Sequence, residues 1–336
     1  MTNSAIIFGF ESTRLNQREI DFFREVRPAG YIVFQRNCQD PQQLRRLTDE
    51  LREINQQEEL LILIDQEGGR VARLKPPHWR HAPAAGAFAC IAETDKTAAR
   101  RLVYLNARMI AKELVDAGIN VNCAPLLDVP TDECHGIIGD RAYGKTPEQV
   151  AYLGLAMAEG LLDGGVLPVI KHIPGHGRAL VDSHENLPVV TASLANLRQD
   201  FQPFKELSHL PLAMTAHIRY TALDELLPAT LSPKIINLIR TELKFDGLLM
   251  SDDLSMQALQ GDFAHLTRHT LDAGCDLVLH CNGKMEEMQQ IADAAGDLNE
   301  IGKKRLSNAW NMLAKHIDSH GVIEEYKLLA KRAGLE

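Results

Sequence analysis

The densest group of chemically active side chains in this sequence lies in residues 171–188, which read KHIPGHGRALVDSHENLP. The segment holds three histidines, one aspartate and two glycines. Imidazole and carboxylate groups ligate metals or transfer protons, and glycine-rich loops can cradle phosphates. A metal site, a phosphate-binding loop and a catalytic loop are therefore the three chemistries to compare.

The phosphate-binding loop is excluded by its sequence context. The glycines stand in P-G-H-G, with no G-K-[ST] motif after them and no G-x-G-x-x-G motif opening a helix. A zinc site is the stronger alternative, because side chains of suitable type occur together. Their spacing matches no compact helix-borne site, and the two flexible glycines would order such a site poorly. The candidate ligands are His172, His176, Asp182 and His184.

A catalytic loop fits the segment best. The proline and glycines of P-G-H-G end regular structure early in it, and the loop that follows carries Asp182 and His184 at positions i and i+2. A carboxylate at this spacing can hold the tautomer of the imidazole and raise its basicity, which makes His184 a candidate proton donor and acceptor. No G-x-S-x-G or catalytic cysteine motif supplies a nucleophile. The best candidate is a carboxylate in LLMSDDLSM, residues 248–256.

Short apolar runs are predicted to be the β-strands that position these side chains. They are nearly continuous in apolar character, as expected of parallel strands that are buried on both faces. Helix-like stretches separate them, including residues 40–57, where Asp40 is the candidate N-cap and Pro41 the first helical residue, and residues 94–118. Eight β-then-α units predict an α/β fold, a TIM (β/α)8-type barrel. The predicted strands are residues 5–10, 31–34, 60–65, 121–129, 167–172, 212–217, 248–253 and 276–281.

Polar side chains end most of these otherwise apolar strands. Active sites of such barrels lie at the C-terminal ends of the strands, and buried polar groups need partners. The repeated pattern therefore predicts one site at which these groups converge. The strand-end residues are Asp65, Asp128, Lys171, His172, His217, Asp252, Asp253 and His280.

Length and composition predict one barrel domain over residues 1–336, with a helical tail over about residues 284–336 that packs outside the barrel. The net charge of -9 argues against nucleic acid or an anionic membrane as a partner. No run approaches the roughly 20 apolar residues of a membrane helix, and the N-terminus lacks the basic region of a signal peptide. The six cysteines form no C-x-x-C pair, so we expect reduced thiols and a cytoplasmic location.

Seven stretches of the sequence resemble one known family, in the order that the family has them. KH-x-PGHG followed by DSH is highly specific, and DQEGGRV is nearly as specific. On these motifs the chain resembles the bacterial β-N-acetylhexosaminidases of glycoside hydrolase family 3, in their short single-domain form. The stretches are GYIVFQRN (30–37), LILIDQEGGRVARL (61–74), NVNCAPLLDV (120–129), IIGDRAYG (137–144), VIKHIPGHG with DSH (169–177 and 182–184), LPLAMTAHI (210–218) and GLLMSDDLSM (247–256).

This resemblance implies a TIM barrel that removes terminal β-linked N-acetylglucosamine and retains the anomeric configuration. In cell-wall recycling, such enzymes cut N-acetylglucosamine from 1,6-anhydro-N-acetylmuramic acid, with or without its peptide. The resemblance implies a small-molecule amino-sugar substrate and neither a cofactor nor a metal. A monomer is the expected oligomeric state.

The family's motifs also imply a role for each matching residue. Asp252, the first aspartate of S-D-D, is implied as the nucleophile, and His184 of D-S-H as the general acid/base. Asp182 is implied as the partner of His184 in a dyad. A retaining glycosidase needs a nucleophile and a proton donor, and here a histidine replaces the usual second carboxylate. The implied sugar-binding residues are Asp65, Arg73, Arg141, Lys171 and His172.

The residues themselves leave alternatives open. Strand alternation puts Asp252 and Asp253 on opposite faces without saying which one faces the sugar, so the family motif alone favours Asp252. A metal-dependent amidohydrolase on the same barrel, with the histidines of residues 172–184 as ligands, is the alternative function. It predicts loss of activity with a chelator. Further expectations are a role in loop architecture for His176, a structural rim position for Asp128, and pocket-lining positions for His217 and Met256.

Overall fold

The structure is a computed structural model, and it describes residues 3–57, 59–131, 136–183, 185–313 and 320–335. Eight parallel strands in these ranges close into a barrel. They are β1 (Ser4–Phe8), β2 (Pro28–Val33), β3 (Leu61–Ile64), β4 (Val121–Asn122), β5 (Leu167–Ile173), β7 (Leu212–Thr215), β9 (Leu248–Asp253) and β10 (Leu277–His280). A separate parallel pair is formed by β6 (Val189–Val190) and β8 (Arg219–Tyr220).

The predicted α/β TIM-type barrel is confirmed. Each of the eight predicted apolar runs overlaps one barrel strand, and the strands neighbour one another in the order β1-β2-β3-β4-β5-β7-β9-β10. Closure comes from β1 and β10, where Ile6 pairs with Val278 and Phe8 with His280. All C-terminal strand ends therefore meet at one face, as the prediction of a single site requires.

Helices surround the barrel, and the second of them begins at the residue that its sequence predicts. Asp40 caps the second helix by accepting a hydrogen bond from the Gln43 N–H at 2.8 Å, and Pro41 is its first residue. The helices are α1 (Gln17–Val26), α2 (Pro41–Asn55), α3 (Ala85–Ala92), α4 (Lys96–Asp116), α5 (Pro147–Asp163), α6 (Leu194–Glu206), α7 (Pro233–Thr241), α8 (Phe263–Ala273), α9 (Met285–Ala295), α10 (Glu300–Asn311) and α11 (Val322–Ala333).

Strand β4 is much shorter than predicted, and the difference shapes the site. The prediction ran over residues 121–129, but the regular ladder ends at Asn122, and Pro125 has no N–H to extend it. The chain nevertheless stays beside β5, because the Leu127 N–H donates to the Lys171 carbonyl at 2.7 Å. This irregular continuation brings Asp128 against the end of β5.

The barrel interior is filled by alternate residues of neighbouring strands. Ile7, Leu63, Val169 and Met250 belong to one apolar cluster of buried side chains. Leu306 and Trp310 of α10 pack against the same cluster. The ion pair between Arg305 and Asp276 (2.8 Å) ties α10 to the start of β10, so this helix lies at the N-terminal end of the barrel, opposite the site.

The C-terminal segment is helical and lies outside the barrel, as predicted. Helix α11 packs against α4, where Glu325 accepts two hydrogen bonds from Arg101 at 2.7 and 2.6 Å. Tyr326 lies under the Arg80 guanidinium, 5.9 Å from it, and Ala330 is buried in the contact. No helix in the described ranges has both the length and the apolar character needed to cross a membrane.

Candidate active site

One cavity of about 360 Å³ lies at the C-terminal ends of the barrel strands. All the predicted site residues that the structure describes line it. His184, the predicted general acid/base, lies outside the described residues. The seven lining residues from the prediction are Asp65, Arg73, Arg141, Lys171, His172, Asp182 and Asp252.

Asp65 follows strand β3 and is held between two cations. Its Oδ1 accepts a hydrogen bond from Lys171 Nζ at 2.8 Å, and its Oδ2 accepts one from Arg73 at 3.0 Å. Burial raises the pKa of Asp65, but the charges of Lys171 and Arg73 outweigh burial and lower it overall. Asp65 is therefore a fixed carboxylate anion facing the cavity, with lone pairs that suit sugar hydroxyl groups.

Glu67 joins the same ion network, and sequence reasoning missed it. It accepts two hydrogen bonds from Arg141, at 2.9 and 2.8 Å, and lies 2.7 Å from Lys171 Nζ. Burial raises its pKa, but Arg141 and Lys171 bring it down to about 2. Glu67 thereby fixes Arg141 at the cavity wall. The available signal was a second carboxylate two residues after the strand-ending Asp65, inside DQEGGRV.

Asp128 is a fully buried carboxylate that joins the end of β5 to the loop after it. Its Oδ2 lies 2.8 Å from His172 Nδ1, and its Oδ1 accepts the backbone N–H groups of His172 (3.2 Å) and His176 (2.6 Å). Since the carboxylate accepts from Nδ1, the other ring nitrogen of His172 is directed away from it. Asp128 was predicted at the rim. That prediction was wrong, because these three donors hold it in the interior.

The loop after β5 is anchored by His176, as predicted. His176 Nε2 lies 3.2 Å from the Ser183 hydroxyl, and the Ser183 carbonyl accepts the Ala258 N–H at 3.2 Å. Burial, followed by the nearby His172, lowers the pKa of His176 to about 4, so its ring is neutral near pH 7. A Cβ on Gly177 would lie 1.8 Å from the Val129 carbonyl oxygen, so this close approach requires glycine. Ser183 therefore fixes the chain directly beside Asp182.

The two aspartates at the end of β9 have different environments. Asp253 Oδ1 accepts the N–H groups of Ser255 (2.9 Å) and Cys281 (3.1 Å), and its Oδ2 accepts the Ser255 hydroxyl (2.7 Å). A carboxylate that binds three donors of its own chain anchors the backbone. Asp252 Oδ1 accepts the Asp253 N–H at 2.8 Å, and both aspartates line the cavity. This difference favours Asp252 as the candidate nucleophile.

Not every polar strand end reaches the cavity. Met256 lines it as predicted, but His217 does not. His217 is fully buried, and both of its ring nitrogens have protein partners, the Thr230 hydroxyl at 2.7 Å and the Asp253 carbonyl at 3.0 Å. His280 is also fully buried, and its Nε2 lies 2.9 Å from Glu287. Five of the eight strand-end residues line the cavity, and Asp128, His217 and His280 lie behind it.

The described side chains offer a poor metal site. Within the part of the chain that the structure covers, no three His, Cys, Asp or Glu side chains are grouped to hold a metal ion. Each of two candidate ligands has one ring nitrogen on a protein partner, since His172 Nδ1 contacts Asp128 and His176 Nε2 contacts Ser183. The cavity instead combines a fixed cation-and-carboxylate cluster with an apolar wall that includes Phe34 and Met214. Such a surface suits a polar ligand with an apolar face, for example a sugar ring.

Comparison with known proteins agrees with this geometry. The profile described as "Glycosyl hydrolase family 3 N terminal domain" matches residues 9–315. A curated β-hexosaminidase of Alkalilimnicola ehrlichii is 40% identical over 283 residues, which cover 82% of this chain and 80% of that protein. The chain therefore belongs to glycosyl hydrolase family 3. It is a glycoside hydrolase of the β-N-acetylhexosaminidase class.

Solved structures carry the same fold. NagZ of Neisseria gonorrhoeae, in complex with N-trifluoroacetyl-D-glucosamine, is 30% identical, with a TM-score of 0.89 and coverage of 99% of each chain. A second structure of that protein is in complex with a zinc ion. A family 3 β-N-acetylglucosaminidase of Paenibacillus sp. str. FPU-7 is 31% identical, with a TM-score of 0.86. That match covers 98% of this chain and 66% of the longer Paenibacillus chain.

We predict that Asp128→Asn lowers kcat/KM for a chromogenic β-N-acetylglucosaminide about 10- to 100-fold. Asparagine has one acceptor oxygen, so it cannot serve the His172 ring and both backbone N–H groups together, and misplacement of about 1 Å can cost 10²-fold. The matched control is Asp224→Asn, a buried carboxylate away from the cavity that accepts the Ser232 hydroxyl at 2.7 Å. Both variants should lose stability. Equal kcat/KM values in the two would contradict the positioning role of Asp128.

Proposed function

We propose that the protein is a retaining exo-β-N-acetylglucosaminidase that acts on N-acetylglucosaminyl-1,6-anhydro-N-acetylmuramic acid from peptidoglycan, with or without its peptide. The observation that carries the proposal is a difference between the two aspartates at the end of β9, which both line the cavity. The Asp253 carboxylate accepts three donors of its own backbone segment and of Cys281, whereas the Asp252 carboxylate accepts the Asp253 N–H and is the candidate for attack on the sugar. The size of the cavity supports exo action, because a volume of about 360 Å³ at the strand ends suits one terminal sugar residue.

The proposed first step forms a glycosyl-enzyme. An Asp252 carboxylate oxygen bonds to the anomeric carbon as the glycosidic carbon–oxygen bond breaks, and the bonding electrons leave with the glycosidic oxygen. His184, protonated at the start, gives its proton to that oxygen. In the second step a water molecule attacks the anomeric carbon, His184 removes its proton, and Asp252 leaves as a carboxylate. Two displacements retain the β configuration. Asp182 is proposed to orient His184.

The ion cluster supports recognition of the sugar. Asp65 can accept hydrogen bonds from two hydroxyl groups, and Arg73 and Lys171 can donate to sugar oxygens. His172, oriented by Asp128 at 2.8 Å, can present Nε2 to the ligand. Because the cations and carboxylates already bind one another in the protein, little reorganisation is needed when a sugar enters. Arg141, fixed by Glu67, is proposed to bind the N-acetyl carbonyl or a hydroxyl group.

Cations beside the cavity support an acidic aglycone. Arg70, which pairs with Asp140 at 3.0 Å, lines the main cavity and also a neighbouring cavity of about 260 Å³, which Lys75 lines as well. Muramic acid and its peptide carry carboxylates, which arginine and lysine recognise through charge-assisted hydrogen bonds. The gonococcal NagZ complex with an N-acylated glucosamine supports the sugar assignment for a fold that matches at a TM-score of 0.89.

The proposal predicts chelator-resistant release of N-acetylglucosamine from p-nitrophenyl β-N-acetylglucosaminide and from the anhydromuramic acid disaccharide. Both rates should survive EDTA, and kcat/KM should be higher for the disaccharide than for chitobiose, which lacks the carboxylate. The EDTA arm also tests the amidohydrolase alternative, because that function requires a bound metal. A metal is a fair alternative to test, since gonococcal NagZ has been solved in complex with a zinc ion. Abolition of turnover by EDTA would contradict the metal-free mechanism. A preference for chitobiose would contradict the substrate assignment.

A further inference from the structure

Asp253 holds the backbone that carries Asp252. Its N–H donates to Asp252 Oδ1 at 2.8 Å, and its own carboxylate accepts the N–H groups of Ser255 and Cys281 and the Ser255 hydroxyl. Its carbonyl oxygen contacts His217 Nε2 at 3.0 Å. Donor, carboxylate and carbonyl of one residue are therefore all used. The orientation of the Asp252 carboxylate depends on where this residue lies, because the Asp253 N–H fixes one carboxylate oxygen.

The tautomer of His217 follows from its partners. A carbonyl oxygen can accept but not donate, so the 3.0 Å contact with Asp253 requires a proton on His217 Nε2. Burial lowers the pKa of His217, so the ring is neutral near pH 7 and Nδ1 is an acceptor. Nδ1 then accepts the Thr230 hydroxyl at 2.7 Å. The Thr230 oxygen in turn accepts the Thr215 hydroxyl at 2.8 Å, which completes an ordered chain from β7.

This hydrogen-bond chain, from Thr215 through Thr230 and His217 to Asp253, connects two neighbouring barrel strands. Thr215 ends β7, and Asp253 ends β9. The Thr230 oxygen also lies 3.2 Å from the Ala216 carbonyl, but its single proton is used in the shorter contact with the neutral His217 ring. The side chains of Thr215, His217 and Thr230 in this hydrogen-bond chain are fully buried, so water cannot substitute for a lost donor at low cost.

We propose that His217 is a positioning residue for the nucleophile, acting through the Asp253 carbonyl and supported by Thr230 and Thr215. This inference rests on the proposed role of Asp252. His217 does not touch the cavity, so its loss should misplace Asp252 without removing a sugar contact. The expected signature is therefore a fall in the rate of attack at the anomeric carbon, with unchanged binding of the product sugar.

The test compares His217→Gln with His217→Phe. Glutamine can place an amide N–H near the position of Nε2, whereas phenylalanine fills the volume without a donor. We expect His217→Phe to lower kcat/KM for p-nitrophenyl β-N-acetylglucosaminide about 10- to 100-fold, with the inhibition constant of N-acetylglucosamine unchanged. His217→Gln should recover at least half of that loss on a logarithmic scale. Equal activity of the two variants, or a parallel rise in the inhibition constant, would overturn the proposal.

Thr230 provides the second link to test. Thr230→Val should reduce kcat/KM in the same direction as His217→Phe, and the double variant should be no worse than the more damaged single variant. The control is Ser232→Ala, which removes another fully buried hydroxyl from the same segment, one that donates to Asp224 at 2.7 Å. It should lower stability without changing kcat/KM. Additive effects of the His217 and Thr230 substitutions would contradict a single chain.

A spectroscopic arm separates this inference from the proposed function. Nitrogen-15 NMR of the histidine rings, with the His217 signal assigned by its loss in His217→Gln, should show the neutral Nε2–H tautomer. The Nδ1–H tautomer or a cationic ring near pH 7 would contradict the proposed hydrogen-bond chain. This outcome does not depend on whether the wild-type enzyme hydrolyses the sugar substrate. Absence of wild-type turnover together with the Nε2–H tautomer would reject the function and keep the hydrogen-bond chain.

Discussion

Asp252→Ala is expected to lower kcat/KM for p-nitrophenyl β-N-acetylglucosaminide by about 10³-fold or more, while the protein stays folded. Loss of the attacking carboxylate removes the covalent route, and a 10³-fold fall corresponds to about 4 kcal/mol of transition-state stabilisation. Asp252 lies partly exposed at the cavity and not in the apolar core, so its truncation leaves the core packing intact. Steady-state kinetics and thermal unfolding of the same preparation measure both quantities.

Asp253→Ala is the informative comparison for that variant. Asp253 binds the N–H groups of Ser255 and Cys281, so its loss should reduce stability as well as activity. Azide can replace a missing nucleophile. It should therefore rescue Asp252→Ala and give an α-glycosyl azide, and it should not rescue Asp253→Ala. Rescue of Asp253→Ala alone would exchange the assigned roles of the two aspartates.

Lys171→Met is expected to have the second large effect, on stability and activity together. Lys171 Nζ lies 2.8 Å from Asp65 and 2.7 Å from Glu67, and its side chain is 3% exposed. Removing a buried cation leaves two carboxylates without their shared partner, which costs about 3–5 kcal/mol in comparable buried pairs. Chemical denaturation should show this loss of the free energy of unfolding. Sugar binding should weaken because Asp65 loses its orientation.

The control is Arg240→Met at the opposite end of the barrel. Arg240 donates to Asp276 at 2.8 Å, and this ion pair lies beside the start of β10, away from the cavity. Arg240→Met should reduce stability by a similar mechanism but leave kcat/KM of the folded fraction unchanged. If Lys171→Met resembled Arg240→Met in kcat/KM, the cluster around Lys171 would be structural and not part of sugar recognition.

The same cluster makes stability depend on pH in a defined window. Arg141 and Lys171 overcome burial and bring the pKa of Glu67 from 4.5 to about 2 in the folded protein. A depressed carboxyl pKa stabilises the folded state fully above the unfolded value, and this contribution is lost as pH falls towards 2. We therefore expect the free energy of unfolding to decline less between pH 4.5 and 2 in Lys171→Met than in the wild type.

The barrel was predictable because its strands are apolar runs of ordinary length separated by helices with recognisable starts. The Asp40 cap and Pro41 mark the start of α2 without any tertiary information. Strand β4 was predicted too long, since apolar character continues past Asn122 although the regular pairing does not. The pair β6 and β8 was missed because two-residue strands carry no periodic signal.

The candidate site was predictable to the level of residue type, and its contacts were not. Motifs identified Asp65, Lys171 and Asp252, and the structure brings them to one cavity. The burial of Asp128 and His217 depends on side-chain contacts between strands that are distant in sequence, such as the 3.0 Å contact from His217 to the Asp253 carbonyl. A sequence pattern assigns such residues to strand ends but does not say on which side of the cavity wall they lie.

The most direct test of the central claim is mass spectrometry of a trapped intermediate. The enzyme would be incubated with a slow-turnover 5-fluoro analogue of N-acetylglucosaminyl fluoride, digested, and the labelled peptide fragmented. We predict one glycosyl group, attached to Asp252 within LLMSDDLSM, and no label in Asp252→Ala. A label on Asp253, or turnover of the natural substrate with inversion and no adduct, would contradict a retaining mechanism through Asp252.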